Sequence, residues 1–195
     1  MGLGKQAKTL TRKQELAVLS FLENSRHPLR NKVIFLFSIK AGLRAKEIAA
    51  VTWAMVTDAT GEIGDYINLE DIAAKGKSGR QIPLNSVLKY ALNELKEQTN
   101  TIEPEQTILL SERNLPFQSK VIVNWFKKLY NDLGFEGCSS HSGRRTFVTR
   151  AAEQITKAGG TLADVQALVG HSSLNTTQRY IAANSKARKD VVDLI

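Results

Sequence analysis

Two short stretches in the last third of the chain hold a dense set of side chains suited to a phosphodiester. HSGRRTF begins at His141 and places Arg144 three residues later; GHSSLNTTQRY places the phenol of Tyr180 nine residues after His171. With Arg44 and Lys75 upstream, the set comprises two guanidiniums, an ammonium, two imidazoles and a phenol. That combination suits phosphoryl transfer. A phosphodiester under attack gathers negative charge on its nonbridging oxygens, and fixed arginines stabilise that charge more than the ground state. Arginine also forks onto two oxygens at once. A tyrosine can take the phosphoryl group covalently, while lysine and histidine move protons to and from the oxygens.

These side chains need elements to converge them, and the periodicity is mostly helical. Thr11 followed by Gln14 reads as a capping box, which predicts a helix over about 12–24 carrying Leu16, Leu19, Phe21 and Leu22. His27 and Pro28 interrupt it. A second helix carrying Val33, Ile34, Leu36 and Phe37 is expected to end near Gly42, with another beginning close to Leu43, so Arg44 falls at a junction. From Asp58 to Leu84 the pattern changes to turns and short strands, YINL, IAA and RQIPL, the last two flanking the basic KGKSG. Helical spacing returns at 87–95 and 121–129, with TILLS between them as a short extended segment. A helix is expected from His141 to Gly159, and Thr161 with Asp164 caps another that reaches Val169 and stops at Gly170. His171 follows at once, and a short helix starting at Asn175 or Thr176 would carry Tyr180. The class is mainly α with a small antiparallel β-sheet.

Composition narrows what such a site acts on. The 195 residues can bury a sizeable core; 42% are hydrophobic and 24% charged, an ordinary globular balance. The formal charge of +8 favours a polyanion, with nucleic acid the leading partner class. No apolar run approaches the roughly 18 residues of a membrane span. The basic N-terminus lacks the apolar stretch of a signal peptide and Cys138 is the single cysteine, which fits a cytoplasmic setting. Other motifs fail: GKS at 76–78 has Asp71 where a phosphate loop needs glycine, and GHSSL ends in Leu174 where a nucleophile elbow needs glycine. Cys138 and His141 have metal-like spacing, yet one cysteine and two other histidines make no structural zinc set. No metal and no cofactor are expected.

From about Thr11 to the C-terminus the chain resembles the tyrosine recombinase, or phage integrase, family. AGLRAKEIAAVTW resembles that family's first arginine box, KGKSGRQIPL its lysine hairpin, HSGRRTF its second arginine box and GHSSLNTTQRY its closing box. The resemblance implies Arg44, Lys75, His141, Arg144, His171 and the nucleophile Tyr180 as catalytic residues, with Glu47 a supporting acid. It departs at Gly143 and Arg145, where the family commonly has leucine and histidine. It implies a basic arm over 1–10 and a catalytic domain over 11–195, without the usual N-terminal domain that clamps the other face of DNA. It further implies strand exchange through a 3'-phosphotyrosyl link, double-stranded DNA as partner, a homo-tetramer on paired sites and accessory DNA-bending proteins. Lys77, Arg80 and Arg145 are expected to touch DNA phosphates. Two other outcomes fit the same residues: a DNA-binding regulatory module without recombination, and a type IB-like topoisomerase.

Overall fold

In a computed structural model, residues 6–70, 79–99 and 102–178 are described. Eight helices and two strands follow in the order α1 Arg12–Glu23, α2 Pro28–Lys40, α3 Ala45–Ala50, β1 Tyr66–Leu69, β2 Arg80–Pro83, α4 Ser86–Glu97, α5 Ser119–Asp132, α6 Ser142–Gln154, α7 Leu162–Val169 and α8 Leu174–Gln178. The expected strand over IAA lies outside the described residues. TILLS forms isolated bridges, Thr52 with Thr107 and Leu110 with Pro116, in place of a full strand.

The core is organised around α2. Its sequence is apolar on nearly every side, as a helix surrounded by protein must be, and every residue from Val33 to Ile39 is buried. α1, α4 and α6 pack around it, while α3 packs on α5. The antiparallel pair β1–β2 sets Ile67 opposite Ile82 and Leu69 opposite Arg80, so strand alternation puts Arg80 on the inward face with the three apolar side chains.

The α2–α6 crossing is unusually close at one point. A Cβ added to Gly143 would lie 2.9 Å from Ser38 Cβ and closer still to Ser38 Oγ, so this crossing has no room for the leucine common in the family. Gly42, which ends α2 at a φ of 65°, has Phe147 of α6 2.5 Å from its missing Cβ. Small residues on both helices thus set the approach of Arg44 and Arg144.

Two expectations change. The Thr11–Gln14 box caps α1 as its spacing required, but Leu16 and Phe21 are exposed, and the buried stripe is Glu15, Val18 and Leu22. Glu15 is tolerated there because Lys40 of α2 and Arg150 of α6 both bind its carboxylate. Burial pushes the Glu15 carboxyl upward, but those two cations outweigh it and hold it below its ordinary range. Regular α6 also stops at Gln154, short of Gly159; turns follow, closed by a 2.9 Å bond from the Gly160 N–H to the Ile155 carbonyl with Gly159 left-handed.

The described start of the chain is docked. Leu10 is buried and its N–H donates to Thr146 Oγ1 at 2.8 Å, while Arg145 donates to the Ala7 carbonyl at 2.8 Å. No helix among the described residues is long and apolar enough to cross a membrane.

Candidate active site

The site is assembled where three chain reversals meet. Arg44 is the N-cap of α3, and Glu47, three residues on, reaches back to it twice: Oε2 accepts from the Arg44 backbone N–H and Oε1 from Nη1, both at 2.8 Å. Glu47 is 1% exposed. Arg144 lies in the first turn of α6, so a residue three after His141 is brought back beside the helix start. Its guanidinium is buried, donating to the Gly42 carbonyl and, at 2.7 Å, to the Val169 carbonyl, with Glu47 Oε2 at 4.0 Å. Arg80 reaches in from β2 and forks onto Glu47 at 3.1 and 3.2 Å.

Three guanidiniums therefore gather around one carboxylate, and the C-terminus of α7 helps hold them. The last carbonyls of a helix have no intrahelical partner and carry the negative end of its dipole. Here Leu168 accepts from Arg80 Nε at 3.1 Å, Val169 from Arg144 and Gly170 from Arg44 at a longer 3.5 Å. One carbonyl at this end serves each arginine. Gly170 takes the left-handed conformation, φ 61°, that turns the chain out of α7 and delivers His171 to the same spot. The ring Nδ1 of His171 pairs with Thr177 Oγ1 of α8 at 3.0 Å, and its carbonyl accepts from Gln166 at 3.0 Å. His141, N-cap of α6, stands at the exposed rim.

The electrostatics follow from this crowding. Burial disfavours the Glu47 carboxylate, yet the hydrogen bonds and charge of Arg80, then those of Arg44, more than offset it and keep Glu47 ionised below its usual range. Burial and then the charges of Arg144, Arg44 and Arg80 push His171 down to about 4. Partial desolvation at the rim and then the charges of Arg144 and Arg44 lower His141 as well. Both imidazoles are neutral at pH 7.

A stability prediction follows for His171. Its folded form stays neutral to about 4 whereas the unfolded chain takes up the proton near 6.5, so the unfolded state binds more protons between those values. Stability is expected to fall as pH drops through that window, with a slope approaching ~1.4 kcal/mol per pH unit. Urea midpoints measured from pH 7 to 4.5 should decline for the native chain and decline less steeply for His171→Gln, with His141, also lowered, contributing the rest. Glu47 and Glu15, with lowered folded values, contribute only at more acidic pH.

The structure thus brings together Arg44, Glu47, His141, Arg144 and His171; Lys75, Lys77 and Tyr180 lie outside the described residues. Arg80, expected to face DNA, is instead turned inward, with its side chain 7% exposed. Its signal was available, since two-residue alternation places it on the face of Ile82. Arg145, adjacent to Arg144 but about 100° around α6, donates to the Ala7 carbonyl.

Comparison with known proteins gives the family and the fold. The chain is 28% identical over 166 residues to tyrosine recombinase XerC of Rhizobium meliloti, a match covering 84% of this chain and 49% of that protein. With XerC of Rickettsia prowazekii it is 30% identical over 166 residues, covering 81% and 48%. It therefore spans about half the length of these relatives. Among solved structures, the Tn1549 transposon integrase in complex with a circular intermediate DNA superposes with a TM-score of 0.74 at 20% identity, covering 96% of this chain and 65% of the other. XerA recombinase superposes with a TM-score of 0.72 at 22% identity, covering 97% and 65%. The model of the phage integrase family matches residues 8–187, and the chain belongs to that family, the tyrosine recombinases.

Proposed function

We propose that this chain cleaves and rejoins double-stranded DNA at specific sites as the catalytic domain of a tyrosine recombinase. The observation that carries this reading is the gathering of Arg44 and Arg144 at the buried Glu47 carboxylate, with His141 and His171 beside the same guanidiniums. The Tn1549 and lambda integrases, which share the fold, were solved on DNA.

Arg44, its side chain 31% exposed and its bond to the Gly170 carbonyl long, is the guanidinium most open to a phosphate. Arg144, its Nη atoms held by the Gly42 and Val169 carbonyls, sets a second fixed positive charge beside Arg44. Tyr180 attacks the phosphorus; the bond to the 5'-oxygen breaks, leaving a 3'-phosphotyrosyl ester and a 5'-hydroxyl. Lys75 gives that leaving oxygen its proton. A neutral imidazole, His141 or His171, can accept the phenol proton; for His171 this requires the tautomer whose Nδ1–H donates to Thr177 Oγ1, so that Nε2 carries the lone pair. The incoming strand's 5'-hydroxyl reverses each step. The bond energy stays in the ester, so no nucleotide is consumed. Assembly is as a tetramer on paired sites.

Covalent trapping on a pool of nicked random-sequence duplexes, followed by sequencing, tests the nucleophile and recovers the site together. The native chain is expected to yield denaturant-resistant adducts on a restricted set of sequences, and Tyr180→Phe none above background. Adducts that persist in Tyr180→Phe would remove the assignment. Specific binding without adducts would favour the regulatory module, and relaxation of plasmid at no particular sequence the topoisomerase.

A further inference from the structure

We infer that Arg80 is a positioning residue for strand cleavage: it sets the placement of Arg44 through Glu47 and of His171 through the end of α7, without touching DNA. This rests on the functional reading above. Each of its three guanidinium nitrogens is bound inside the protein, Nη1 and Nη2 to Glu47 at 3.1 and 3.2 Å and Nε to the Leu168 carbonyl at 3.1 Å. A side chain so engaged and 7% exposed has little left to offer a phosphate.

The geometry indicates what it does instead. Glu47 Oε1 accepts from Arg80 Nη1 and Arg44 Nη1, and Oε2 from Arg80 Nη2 and the Arg44 backbone N–H. The carboxylate is thus fixed from two sides. Without Arg80, Glu47 would be held chiefly by the arginine it orients, and the pair could swing as a unit. The third bond anchors Leu168, three residues before His171, so one planar group joins β2, α3 and α7. Its path depends on Gly170, where an added Cβ would sit 3.1 Å from both Cδ and Nη1 of Arg80. Gly170 therefore serves its own turn and leaves Arg80 room to pass. β2 also leads out of the segment holding Lys75, five residues earlier in the sequence.

The test uses the full chain, Arg80→Gln, Glu47→Gln and the double variant. Single-turnover adduct formation is followed at saturating concentrations of the duplex recovered by trapping, and affinity for an intact random-sequence duplex is measured across a salt series. Each duplex phosphate that a protein ceases to neutralise makes the slope of log affinity against log salt shallower by ~0.9. Arg80→Gln is expected to slow adduct formation by ~10²-fold, the effect of misplacing a reacting group by about 1 Å, and to leave the salt slope unchanged. In the Glu47→Gln background its further loss should be smaller than in the native chain, because only the bond to Leu168 remains to be removed. If Arg80→Gln does not fold, the double variant decides the question, because two facing amides leave no buried carboxylate stripped of Arg80: a further loss well below ~10²-fold with an unchanged salt slope supports the inference, and a further loss of that size or a shallower slope overturns it. A shallower slope, or adduct formation at the native rate, also overturns it. Failure of the native chain to form adducts would instead refute the functional reading, before any variant is compared.

Discussion

Glu47→Ala is expected to lower the unfolding free energy by about 3–5 kcal/mol, the cost typical of removing one partner from a buried ion pair. The carboxylate is 1% exposed and accepts four hydrogen bonds from Arg44 and Arg80, with Arg144 Nη1 at 4.0 Å. Deleting it leaves guanidiniums facing one another in a space with little water. For a chain of this size the loss corresponds to a fall in Tm of roughly 2–4 °C for each kcal/mol. Thermal and urea denaturation check it. Glu47→Gln should lose less, because the amide oxygen still accepts from a guanidinium, although the charge is gone. A Glu47→Ala protein as stable as the native chain would mean that the carboxylate is not the hub its contacts describe.

Arg144→Ala is expected to reduce adduct formation by ~10³-fold, within the range supplied by arginines that stabilise phosphoryl-transfer transition states. The same change leaves the Gly42 and Val169 carbonyls without the donor that joins α6 to the end of α2 and to α7. Arg144→Lys should recover little of the rate. A single ammonium cannot present the planar fork, nor span two carbonyls while facing a phosphate. The measurement is single-turnover adduct formation on the trapped duplex, with Tm recorded alongside. A rate loss far larger than the stability loss explains is the expected signature; loss of stability alone would make Arg144 purely structural.

Much of the fold was legible because its boundaries are written in local chemistry. Thr11 with Gln14, and Thr161 with Asp164, announced helix starts that need only four consecutive residues to form. Gly170 announced a stop through its backbone freedom. Arg44, His141, Arg144 and His171 were singled out by the motifs that resemble the family's boxes, and each lies at a helix end or within a first turn. Less legible was whatever depends on a partner remote in sequence. Glu15 sits on an otherwise apolar stripe because Lys40 and Arg150 wait on two other helices, and nothing in its own neighbourhood reveals them. Arg80 sits in a charged, glycine-containing stretch that reads as solvated surface; its inward direction follows from strand alternation, but its reason, a carboxylate 33 residues away, does not.

The close approach of Gly143 to Ser38 has a consequence for exchanging parts among relatives. The family's common leucine at this position cannot be grafted into this chain alone, because the serine on α2 occupies the volume its side chain needs. The two positions form a matched pair, compatible only when transferred together. A chimera taking α6 from a leucine-bearing relative must take the facing turn of α2 with it, or its two phosphate-gripping arginines will be set too far apart.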